Sequence, residues 1–91
     1  MQLEVITGLS IFNNGPIVGL ALRGEQNSIN LCRKAEALST SAWGRPAATQ
    51  TLNGRSEADQ IAYLVGRWLD WAAHNDLSIT INTTPRRVGA F

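Results

Sequence analysis

Leu3, Val5, Thr7, Leu9 and Ile11 alternate with Glu4, Gly8 and Ser10, while Ile6 and Phe12 add apolar groups on the second face. A period of two marks a strand, and apolar groups on both faces mark one covered from both sides. The spacing predicts a strand over 2–12. Asn13-Asn14-Gly15-Pro16 then concentrates residues that tolerate positive φ next to one that fixes φ, so a turn returns the chain into a second strand over 17–23. After a further turn at Gly24-Glu25-Gln26-Asn27, Ile29 and Leu31 alternate with Ser28, Asn30 and Cys32 as a short third strand. The same stretch supports a second reading. Leu31, Ala35 and Leu38 have helical spacing and Lys34 to Ala37 favour helix, so a helix starting near Ser28 stands as the alternative over 28–38. Residues 40–53, rich in Ser, Thr, Gly and Pro, read as a loop.

The strongest periodic signal follows. Ser56 and Asp59 form an S-x-x-D capping box, and Ile61, Leu64, Val65, Trp68, Leu69 and Ala72 recur with the period of a helix over 57–74. His74 suits the negative end of that helix, and Asn75 suits a left-handed stop. Leu77, Ile79 and Ile81 alternate with Ser78, Thr80 and Asn82 as a fourth strand, which Pro85 should halt.

Composition narrows the class. The 91 residues are 44% hydrophobic and 16% charged, which fits one folded domain over 1–91 and not a disordered tail. So short a chain buries little of its surface, and an uncovered face would favour a partner or a homodimer. Eight basic against seven acidic residues leave a net charge of +1, far from the strongly basic footprint of a phosphate binder. Cys32 stands alone, so no internal disulfide forms, and Cys/His zinc spacing is absent. Cys32 and His74 lie on different elements with no third group to complete a nucleophilic site. The Asn-Asn-Gly-Pro turn lacks the pattern of a phosphate-cradling loop. No apolar run is long enough for a membrane span and Met1 to Leu9 does not read as a signal peptide, so the expected location is cytoplasmic.

Three local patterns carry a resemblance. Thr7-Gly8-Leu9-Ser10, Gly15-Pro16 and Gly19-Leu20-Ala21-Leu22 are similar to a threonine-aspartate-glycine-serine strand, its glycine-proline turn and the glycine-rich strand that follows. Thr51-Leu52-Asn53-Gly54-Arg55-Ser56-Glu57 looks like a polar lead-in to a central helix that starts on a glutamate. Ile79-Thr80-Ile81-Asn82-Thr83-Thr84 looks like a strand ending in threonine-aspartate-serine. Their order resembles the first half of the ribonuclease H fold, with the segment around Trp43 as an insertion. The resemblance implies an α/β (α+β) mixed sheet: antiparallel strands one, two and three, one long helix, and a fourth strand parallel to the first.

It also implies a site whose acids are mostly gone. Enzymes of this family cut a phosphodiester with two divalent ions, which require clustered carboxylates. Their positions fall on Gly8, Glu57 and Thr84, or Thr83 if the register slips by one, and only Glu57 is an acid. The chain reaches Phe91 before the later part of the family fold could supply another. Glu57 reads either as a remnant ligand or as an acid stabilised at a helix start. The expectation is therefore a small non-catalytic binding protein with no metal and no cofactor. Contact with a protein complex is the leading reading, of the kind by which a phage or mobile element inhibits a host nuclease or defence complex, as anti-CRISPR proteins do. Binding of an RNA-DNA hybrid or double-stranded RNA is the alternative, and an active metal-dependent ribonuclease comes third. Candidate contact residues are Trp43 and Arg45 in the long loop, where an aromatic beside a guanidinium suits an interface or an unpaired base, with Arg55, Arg86 and Arg87. The other reading of Trp43 is a plug folded back into the small core, and that of Arg86 and Arg87 a solvated tail.

Overall fold

The computed structural model describes residues 1–38 and 44–91. Its elements are β1 (Gln2–Leu9), β2 (Pro16–Leu22), α1 (Ser28–Leu38), β3 (Thr49–Thr51), α2 (Glu57–His74) and β4 (Thr80–Ala90). They build one mixed sheet in the order β3-β2-β1-β4, with β1 antiparallel to β2, β2 antiparallel to β3, and β4 parallel to β1.

The predicted hairpin forms, although β1 ends at Leu9 and not near residue 12. Ser10 and Asn14 close the turn: the Ser10 N–H donates to Gly15 O and the Asn14 N–H to Ser10 O, with Asn14 at φ 56°. These bonds take Ile11 and Phe12 out of the ladder. The register pairs Leu3 with Leu22, Val5 with Leu20 and Thr7 with Val18, so these side chains share one face. Glu4, Ile6 and Gly8 face the opposite way, opposite Ala21, Gly19 and Ile17.

Residues 28–38 are helical, which excludes the third strand expected there. Asn27 explains the choice: its side chain accepts the Ile29 N–H at 2.9 Å and its carbonyl accepts the Leu31 N–H at 3.3 Å, starting a helical turn. Leu31 and Ala35, one turn apart, are fully buried in the core. The antiparallel third strand comes instead from the stretch read as loop, where Thr49–Thr51 pairs with Gly19, Val18 and Ile17. Three polar residues carry no period of their own; the exposed edge of β2 recruits them.

α2 has the predicted bounds. Ser56 Oγ accepts the Asp59 N–H at 3.1 Å, and Leu64, Trp68, Trp71 and Ala72 pack into a core with Leu3, Val5, Val18 and Leu20. The Trp68 indole N–H donates to Ala47 O at 3.1 Å, and Gln60 donates to Gln50 at 2.7 Å, which ties the helix to β3. The left-handed residue past the helix is Asp76 at φ 53°; Asn75 stays at φ −110° and bonds back to Trp71 and Ala72. No helix among the described residues is long and apolar enough to cross a membrane.

β4 does not stop at Pro85. It runs on to Ala90 because two irregularities absorb the misfit: Asn82 pairs with Glu4 but Arg86 with Ile6, leaving residues 83–85 opposite Val5, and Arg87 pairs with Thr7 but Ala90 with Leu9. β4 is an edge strand, where a proline is tolerated at a bulge.

Candidate functional site

Parity decides what meets at the upper end of β1. Thr7 shares the face of Leu3 and Val5, toward α2, and its register partner on β4 is Arg87. The Arg87 guanidinium reaches Glu57, the first residue of α2, at 4.0 Å. The Thr7 hydroxyl is buried on that face with no hydrogen-bond partner among the described residues. Gly8 points to the other face, where Phe91 and the Val88 carbonyl lie over it, and Thr84 sits exposed in the bulge of β4 with its N–H bonded to Asn82. Of the three positions the resemblance marks, only Glu57 is at this junction. Thr7, unmarked by the sequence motif, is the strand-one residue in register with Arg87, on the face of Leu3 and Val5; its parity with them was the available signal.

That donor set does not fit a pair of divalent ions. They require several oxygen ligands, mainly carboxylates, whereas the junction offers one carboxylate, one neutral hydroxyl and a guanidinium already facing the carboxylate. No group of three or more His, Cys, Asp or Glu side chains that could hold a metal ion occurs among the described residues.

The cationic candidates separate by what they touch. Arg45 pairs with Glu36 at 2.6 Å and donates to Cys32 O at 3.3 Å, fastening the approach to β3 onto α1. Arg86 meets Glu4 at 3.2 Å and donates to Glu25 O at 3.2 Å, so it straps β4 to β1 and to the turn before α1. Glu25 in turn accepts Lys34 Nζ at 2.7 Å, and this bond, with a weaker one from Asn30, holds its carboxyl below the ordinary value of 4.5. Arg55 and Arg67 instead both stack on the exposed Tyr63 ring, at 5.7 and 6.0 Å from its centre. Arg87 remains 83% exposed despite its contact with Glu57. Trp43 lies outside the described residues. Tyr63 and Arg67, spaced i, i+4 on the polar side of α2, are contact candidates that the sequence reading passed over. His74 caps its own helix, donating from Nδ1 to Asp70 O at 2.8 Å, and Cys32 is half-buried against the core.

A cleft of about 670 Å³ opens on the sheet face that carries Gly8 and Ile17. Ile17, Thr49 and Thr51 form one wall, Phe91 another, and Asn27 and Ile29 a third, with Ile11 and Phe12 of the hairpin turn at the rim. A smaller hollow of about 330 Å³ lies beside Arg67, Asp70, Trp71 and His74.

Comparison of the chain with family models, with curated proteins and with solved structures found no match.

Proposed function

We propose that this chain is a non-catalytic contact protein on a ribonuclease H-like scaffold, acting by binding another macromolecule. The scaffold reading is supported by the order β3-β2-β1-β4, with an antiparallel hairpin first and α2 returning the chain to a strand parallel to β1. α1 and the residues up to β3 are then an insertion relative to that family. The observation that carries the absence of catalysis is the pairing of Glu57 with Arg87. One carboxylate with a guanidinium beside it supplies too few anionic oxygens for paired divalent ions, and Thr7 adds none.

The partner class this favours is a protein complex, such as a host nuclease or defence complex blocked by a phage or mobile-element protein. A near-neutral net charge gives weak long-range attraction for phosphate, while large exposed apolar side chains at the hairpin turn suit a protein surface. Capture from a host lysate by the tagged chain tests it: a stoichiometric protein partner is expected, and none at all would overturn it.

Nucleic-acid binding is kept as a second reading because Arg55 and Arg67 lie on Tyr63 without a carboxylate at ion-pair distance among the described residues. It requires binding to hybrid or double-stranded RNA that weakens steeply with salt. Magnesium- or manganese-dependent cleavage of a hybrid would displace both readings.

A further inference from the structure

We propose that the cleft beside the hairpin turn is the interface of a two-fold dimer, filled by Phe12 of a second copy of this chain. Phe12 is 92% exposed and Ile11 66%, with Ile29 at 59% across the cleft. An apolar ring so fully in water is a cost that a contact removes, since an aromatic side chain buries about 150–250 Å² when covered. The cleft's volume accommodates that ring together with a branched aliphatic side chain.

The surface carries its own complement. A two-fold interface uses the same patch on both subunits, so each patch must hold both the projecting group and the recess that receives it. Phe12 projects from the rim of the very cleft walled by Ile17, Ile29 and Phe91. None of the described side chains that line it is charged, in a chain with eight basic and seven acidic side chains. Facing itself, the patch sets no like-charged side chains against each other. A phosphate backbone or an acidic peptide would find no cation in it, and a small ligand seated in the recess would leave Phe12 in water. Thr49, Thr51, Asn27 and Gln26 supply polar groups around the apolar centre, as the rim of a protein interface does.

This inference is independent of the Glu57 junction but sets a second copy against a host protein as occupant of the hairpin-turn side chains, and its test separates the two occupants. Sedimentation equilibrium of the full chain over a wide concentration range should give twice the chain mass at the upper end. Phe12→Ser, an exposed change that leaves the core intact, should return the monomer, and so should Ile29→Arg, which would set two cations against each other across the axis. Leu69→Ser on the outer side of α2 should leave the dimer unchanged. A wild-type chain that stays monomeric throughout overturns the proposal, as does a dimer indifferent to both cleft variants. A monomer that loses a captured host protein on Phe12→Ser assigns the cleft to that protein instead, and also overturns it.

Discussion

Phe91 rests on Gly8: a Cβ added at Gly8 would fall 2.7 Å from Cε1 of the ring and 2.8 Å from the Val88 carbonyl oxygen. The acid that the family motif would place at this position therefore has no room, and it would face away from Glu57 in any case. Gly8→Asp should destabilise the fold by about 1–3 kcal/mol, since a backbone carbonyl has to move as well as a ring. It should not create magnesium-dependent cleavage, alone or with Thr84→Asp. Urea unfolding and a hybrid-cleavage assay with an active control measure the two outcomes.

Gly19 is under the same constraint from β3. Its added Cβ would come 2.8 Å from Thr49 Cγ2 and 3.0 Å from the Ala48 carbonyl, and both belong to the edge that β2 recruits. Gly19→Ala should cost about 1–3 kcal/mol and speed amide exchange at Leu20, whose N–H is bonded to Ala48 O.

Arg86 ties three segments through Glu4 and Glu25. Arg86→Met leaves the Glu4 carboxylate, 18% exposed, without its counter-charge. The expected loss is about 1–2 kcal/mol, below that of a fully buried pair because the arginine side chain is partly in solvent. Adding Glu4→Gln to Arg86→Met should recover part of it, a coupling that a double-mutant cycle reads directly.

Glu25 predicts an acid dependence. Its carboxyl titrates below 4.5 in the folded chain because Lys34, then Asn30, bond the charged form. A carboxyl with a depressed folded value stabilises the fold above its unfolded value and loses that contribution as pH falls through the folded one. An NMR titration should place the Glu25 midpoint under 4.5, and Lys34→Met should raise it toward that value.

Ser56→Ala removes the acceptor of the Asp59 N–H and should lower stability by about 1 kcal/mol, with Ser56→Asn close to neutral. Thermal unfolding followed by circular dichroism distinguishes them.

The sequence by itself determined the hairpin and α2. A turn of Asn, Gly and Pro, a cap at Ser56 and an apolar stripe from Ile61 to Ala72 act within a few residues, so each can be read without knowing its surroundings. Tertiary structure alone decided the rest. Residues 28–38 fit two periods, and burial of Leu31 with Ala35 selects helix; β3 exists because β2 offers an open edge, and β4 crosses Pro85 because β1 holds it in a bulged ladder. The candidate site divides in the same way. Glu57 is legible as a helix-start acid, but its partner Arg87, the internal engagement of Arg45 and Arg86, and Phe91 over Gly8 are meetings between groups remote in sequence. Such contacts leave no local period, since strand register and chain return alone bring them together.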